Sequence, residues 1–246
     1  MVGVPGTGKT LAARAISASW NVPLVGLDAG RLFGSLVGES EANLRTALRT
    51  AEAIAPCTCL IDELEKAFGG SGGYDGGTSA RVFGGLLSWL QDKRADVFVV
   101  ATANDVSKLP PELLRKGRFD EIFFVDLPDA ESRAEILAIH LRRAGHEFKK
   151  ADLAEVARIS KGYTGSELEA AVQSALIEAF TDKERKPTAA DMARAIKSTV
   201  PLSKTMAERI NVLREFCKTG RAVPAGGMLE DDEARTLGKP AALDVT

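Results

Sequence analysis

Gly3-Val4-Pro5-Gly6-Thr7-Gly8-Lys9-Thr10 stands almost at the start of the chain and fits the spacing G-x-x-x-x-G-K-[ST]. Each part has a use. Glycines let backbone N–H groups close around phosphates without Cβ clashes, and the helix that follows offers an N-terminus that favours anions. Lys9 would reach the β- and γ-phosphates, and the Thr10 hydroxyl would ligate Mg2+. Pro5, Gly6, Thr7, Gly8 and the following Leu11 complete the expected contact set. A plain Gly/Pro turn between strand and helix would share the glycines. A dinucleotide fingerprint fits worse, because its glycine spacing differs and it has no use for the Lys-Thr pair.

Working outward from that loop, strands and helices alternate. Residues 11–20 read as the helix after the loop and 22–28 as a short strand. Residues 39–54 carry Leu44, Ala47, Leu48 and Ala51 at helical spacing. Cys57-Thr58-Cys59-Leu60-Ile61 is a compact apolar run that ends in Asp62-Glu63. Val82, Phe83, Leu86, Leu87 and Leu90 mark another helix, and 96–102 and 121–126 read as further strands. Ahead of that helix, 69–77 is glycine-rich and reads as a loop. Buried strands in alternation with helices predict an α/β fold, a parallel sheet flanked by helices. After Pro128 only helices are expected. Ile136, Ile139, His140 and Arg143 fall on one stripe, and Thr164-x-x-Glu167 and Thr188-x-x-Asp191 are capping boxes. The first box opens a helix with Leu168, Ala171, Val172 and Ala175 facing inward. Ser203 starts a last helix carrying Met206, Ile210 and Leu213. The expected organisation is an α/β nucleotide-binding domain over 1–127, an all-α lid over 128–200, an additional helix over 201–223, and a polar, disordered tail over 224–246.

Asp62 and Glu63 stand at the carboxyl end of a strand, the edge where ligands bind in such sheets. Asp62 would hold Mg2+ and Glu63 would polarise the attacking water. Acidic pairs at strand ends are commonly solvated turn residues; the loop upstream gives this pair its meaning. Ala103-Asn104 ends the neighbouring strand and places a neutral amide beside the acidic pair, suited to holding that water.

The segments GVPGTGKT, LIDE, ATAN, LRKGRFD and GYTGSEL, in this order, resemble the AAA+ ATPases, specifically the AAA clade in the strict sense. The resemblance runs to about residue 200. Within the clade, LVGESEANLR, IDELEKAF and RKGRFDEIFFVDLP are most similar to the AAA ATPase encoded in cyanobacteria and plastid genomes. The resemblance implies binding and Mg2+-dependent hydrolysis of ATP, with Asn104 as the sensor residue. It also implies that Arg115 and Arg118 are arginine fingers entering the neighbouring subunit's site. Such an arginine is worth roughly 10³–10⁵ in rate, and it makes a homo-oligomeric ring, a hexamer, the expected assembly. His140 corresponds to a position beside adenine and ribose, although a half-buried helix histidine reads the same way. Gly165 and Ser166 correspond to a small pair close to the base.

The resemblance further implies remodelling of a protein or protein complex as the work done. Leu36 and Val37 occupy the pore-loop positions, with leucine where an aromatic is commonest, and Leu36 also reads as an ordinary structural residue. A second pore loop is expected over 69–77, with Tyr74 as its only large side chain. A nucleotide-dependent assembly switch with slow turnover is the other reading. An AAA protease is disfavoured because no H-E-x-x-H motif is present and the only histidines are His140 and His146. The strand before the loop is reduced to Met1-Val2, where the resemblance implies a full central strand. A fragment of a longer protein, or a truncated paralogue, is expected on that ground.

Composition narrows the partners. Of 246 residues, 32 are Lys or Arg and 34 Asp or Glu, for a net charge of −2, which disfavours bulk electrostatic binding to nucleic acid. Three cysteines (Cys57, Cys59, Cys217) are too few for a disulfide scaffold and point to a reducing compartment. Cys57-x-Cys59 lacks the partner cluster a metal site needs. No apolar run approaches the roughly 20 residues that span a bilayer, and no leader is apparent. The cytoplasm, or the plastid stroma for a plastid-encoded chain, is the expected location.

Overall fold

The computed structural model describes residues 1–30, 39–68, 78–115 and 117–226. These form two units, one comprising Met1–Val125 with Met206–Ala225, the other built from Asp126–Thr205. The expectations for Leu36, Val37 and 69–77 lie outside the described residues.

In the first unit the strands are β1 (Val2–Gly3), β2 (Leu24–Asp28), β3 (Cys57–Asp62), β4 (Val97–Ala101), β5 (Phe123–Val125) and β6 (Val223–Pro224). β2, β3 and β4 pair in that order and β1, β5 and β6 in theirs, all parallel. A bridge between Val2 and Ala103 joins the two ladders, so β1 runs between the end of β4 and β5. Gly3 N donates to Ala103 O at 3.1 Å and Val4 N to Val125 O at 3.3 Å. Only glycine fits at position 3, because a Cβ there would lie 2.1 Å from Val125 O.

Side-chain alternation along β3 sets the layers. Leu60 packs with Val100 and with Ala13 of α1 (Lys9–Trp20) on one face. Cys57, on the other parity, donates its thiol to Ala51 O of α2 (Glu39–Ile54) at 3.2 Å. Helices therefore cover both faces of the sheet. All five residues Cys57–Ile61 are buried, as a central parallel strand requires. Burial pushes the Cys59 thiol up to about 12, so it stays protonated and unreactive. α3 (Thr78–Asp92) packs on α2.

The helix α8 (Ala207–Phe216) lies against β1. Val223 N donates to Ile122 O and Ala225 N to Phe124 O, each at 2.8 Å, so residues 223–225 pair with β5, and the tail expected beyond them, 227–246, lies outside the described residues. Two residues are too short a strand to show as periodicity, and proline is tolerated on an edge.

The second unit holds α4 (Ala130–Arg143), α5 (Lys150–Ile159), α6 (Gly165–Thr181) and α7 (Ala189–Lys197), then a single turn over Leu202–Thr205. Its core joins Leu137, Leu141, Val156, Leu168, Val172 and Met192. Both capping boxes form, at Thr164–Glu167 and Thr188–Asp191. On α4 the buried residues are Arg133, Leu137 and Leu141, Ile136 packs partly buried against the same core, and Ile139 is exposed. Arg133 reaches out of that core to donate to Ala157 O at 2.9 Å and Pro128 O at 2.8 Å.

Candidate nucleotide and metal site

The loop ends at Gly8, which caps α1 in the left-handed region (φ 95°, ψ 13°) with no side chain supplying a cap. A Cβ there would meet nothing within 4 Å, so backbone conformation, not crowding, calls for glycine. The result is a 12-residue helix whose first N–H groups have no side-chain acceptor. Thr7 donates its hydroxyl back to Val4 O at 2.8 Å and fixes the turn. Lys9 is buried and donates from Nζ to Gly3 O at 2.9 Å and Val4 O at 2.8 Å. Burial lowers its pKa to about 8, opposed by the fields of Glu65, Asp62 and Glu63.

Strand parity brings Asp62 to the α1 side. It shares the face of Leu60, which α1 covers, and Thr10 sits in the first turn of that helix. The Thr10 hydroxyl lies 3.0 Å from Asp62 Oδ1 and 3.1 Å from Oδ2, joining groups 52 residues apart in sequence. Thr102, just past β4, also donates to Asp62 Oδ1 and accepts from Glu63 N at 3.0 Å. The register Ile61–Ala101 sets this up by placing Thr102 beside Asp62.

Glu63 takes φ 53°, ψ 49°, a costly conformation for a residue with a Cβ. Thr102 holds it there through the Glu63 N bond and through Leu64 N donating to Thr102 O at 2.9 Å. The turn aims the Glu63 carboxylate away from the strand line, where it pairs with Lys66. Glu65 is buried. Its Oε1 accepts from Asn104 N at 3.0 Å, and its Oε2 has no partner among the described residues. Thr102, Glu65 and Lys66 were not visible as site residues in the sequence, because their roles follow from register and from the turn after β3.

The donor set suits a hard cation. One hydroxyl and one carboxylate are available, and the described residues hold no cluster of three or more His, Cys, Asp or Glu. That is what Mg2+ uses when phosphates and waters complete its shell.

The remaining expected residues are distributed as follows. Asn104 stands after β4 with its amide N–H bound to Glu65. Arg115 is exposed. Arg118 is half-buried and lines a 780 Å³ cavity with Leu113 and Phe119, its Nη1 buried without a partner among the described residues. Leu11 is exposed on α1. In the helical unit, His140 Nδ1 lies 3.6 Å from Glu169 Oε1, which brings it beside the first turns of α6, where Gly165 and Ser166 open the helix.

A parallel sheet with such a loop, and an Asp-Glu pair at the end of β3, defines a phosphate-loop nucleotide-binding protein. The model of the ATPase family associated with various cellular activities (AAA) matches residues 1–127, and the chain belongs to this family. It is 47% identical over 224 residues to the "Uncharacterized AAA domain-containing protein ycf46" of Pyropia yezoensis, and 44% identical over 223 residues to that of Guillardia theta. Each alignment covers 90% of this chain, and 45% and 44% of the relative, so the chain spans about half the length of the relatives it matches. These relatives are plastid-encoded. Among the described residues no helix is long and apolar enough to cross a membrane.

Proposed function

We propose that the chain binds ATP with Mg2+ and hydrolyses it to ADP and phosphate, as one subunit of a ring. The observation that carries this reading is the Thr10–Asp62 contact, with Glu63 held in the next position by Thr102. The backbone of Pro5–Thr10 and the open N-terminus of α1 receive the phosphates, and Lys9 exchanges its loop carbonyls for phosphate oxygens. Thr10 and Asp62 hold Mg2+, which when bound offsets charge on the phosphate oxygens. Glu63 orients the attacking water and accepts its proton, and the Asn104 amide fixes the water's second hydrogen-bonding direction.

Arg115 serves a neighbouring copy, since its exposed guanidinium is free to stabilise charge on a γ-phosphoryl held by another subunit. Arg118 supports it. A hexameric ring, a protein client, action through Leu36 and Val37 and a stromal or cytoplasmic location complete the reading. Membrane and nucleic-acid partners are not part of it.

Complementation tests the shared site. Glu63→Gln and Arg115→Ala should each be inactive alone, and mixing them should restore turnover, because a Glu63→Gln subunit still lends Arg115 to its neighbour. No recovery from mixed, co-assembled protein would contradict a site completed between copies.

A further inference from the structure

We propose that Glu65 is a positioning residue that fixes Asn104, by supplying the hydrogen-bond acceptor the sheet loses where the chain turns at Glu63. The inference rests on the ATPase reading above, in which the Asn104 amide orients the attacking water.

The ladder between β3 and β4 shows what is missing. Thr102 N donates to Ile61 O at 2.9 Å, and in a regular parallel ladder the next such bond would run from Asn104 N to Glu63 O. Glu63 instead leaves β3 in the left-handed conformation, and its carbonyl accepts from Lys66 N at 2.8 Å within the turn that follows. Glu65, on that same turn, puts a side-chain oxygen where the ladder carbonyl would have been. Its Oε1 accepts from Asn104 N at 3.0 Å.

The same peptide group is held from its other side. Ala103 O accepts at 3.1 Å from the N–H of Gly3, the first residue of the phosphate loop. One peptide plane, Ala103–Asn104, therefore joins the loop to the turn that carries Glu63. Among the described residues, Glu65 is its anchor on the Glu63 side. Just past it, the Asp105 carboxylate accepts from Ser107 N at 3.1 Å and fixes the next turn. Glu65 is 6% exposed, and its Oε2 has no partner among the described residues. Burying a carboxylate so thinly bonded is costly, and stability alone favours an apolar side chain there. What the carboxylate does accomplish is to stop rotation of the peptide from which the Asn104 side chain springs.

Steady-state ATP turnover of full-length protein tests this with Glu65→Met, Glu65→Gln, Asn104→Ala and the double variant Glu65→Met/Asn104→Ala. Methionine keeps the reach of the side chain and removes the acceptor. Glu65→Met should lower kcat roughly tenfold with KM within about twofold of wild type, since a small misplacement at a reacting centre has a large effect on rate. Glu65→Gln retains an acceptor oxygen and should recover most of the lost rate. The double variant should be no slower than Asn104→Ala, because Glu65 acts through that residue. An unchanged kcat in Glu65→Met, a Glu65→Gln as slow as Glu65→Met, or losses that multiply in the double variant would each overturn the assignment. Amide exchange of the wild-type protein gives a check that needs no variant to fold. The Asn104 N–H should exchange at least roughly tenfold slower than in an unprotected peptide, and free exchange would overturn the assignment as well. If wild type is no faster than Glu63→Gln, hydrolysis at this site falls and the role of Glu65 with it. A wild type well above Glu63→Gln with Glu65→Met unchanged removes the role of Glu65 alone.

Discussion

The two units treat buried charge in opposite ways, and α1 starts unlike α4, α6 and α7. In the helical unit, Asp129, Thr164 and Thr188 cap their helices through side-chain oxygens. Asp191 is 1% exposed, yet its carboxylate accepts from Arg185 at 2.6 Å and 2.8 Å, from the Thr188 hydroxyl and amide, and from Arg194. In the α/β unit, α1 begins on a bare glycine. Lys9 uses two of its three donors, and Glu65 keeps one buried oxygen unpartnered among the described residues. Burying polar groups unsatisfied costs free energy, so a fold tends to close every such bond. The bonds left open in the α/β unit lie beside its phosphate-loop motif, the place where a nucleotide is proposed to bind.

The comparison breaks first at Asp191. Asp191→Ala strips five hydrogen bonds from three residues at once and should cost about 3 kcal/mol of stability, read by denaturant unfolding. The Arg185 guanidinium holds the Asp191 carboxyl well below the usual carboxylate range. Its stabilisation is therefore complete above a pH of about 4 and fades as pH falls through the lowered folded value. The gap between wild type and Asp191→Ala should close in strong acid, and a gap that widens there would refute the assignment.

Lys9→Met should leave the fold in place and weaken ATP binding roughly tenfold to hundredfold, measured by titration with a fluorescent nucleotide. Equal loss of stability and binding would place Lys9 with the structural charges instead. The smallest effect sharpens the contrast. Glu65→Gln keeps an acceptor for Asn104 N and removes a buried charge, so stability should hold or rise by about 1 kcal/mol. A loss like that of Asp191→Ala would show Glu65 to be an ordinary buried pair.

Much of this was legible from the chain alone, and the reasons are local. The loop 3–10 announces itself by residue type and spacing, and the Asp62-Glu63 pair by its place at the end of an apolar run. The two capping boxes are read within four residues each. What stayed hidden depends on register or on choices between equal faces. Thr102 matters only because β4 lies beside β3 with Ala101 opposite Ile61. Glu65 and Lys66 look like any acidic and basic pair in a turn until Glu63's left-handed backbone turns them toward the site. On α4, Ile139 is as apolar as Leu137 and Leu141, and the facing helices, not residue type, leave it outside while the leucines are buried. β6 exists only because β5 offers an open edge.

The most direct test of the central claim, that Glu63 activates water against a nucleotide held by Lys9, Thr10 and Asp62, separates binding from turnover in one variant. Nucleotide affinity and Mg2+-dependent phosphate release should be measured side by side for wild type and Glu63→Gln. Affinity should stay close to wild type while turnover falls roughly 10²- to 10⁴-fold. Undiminished phosphate release by Glu63→Gln would contradict the account.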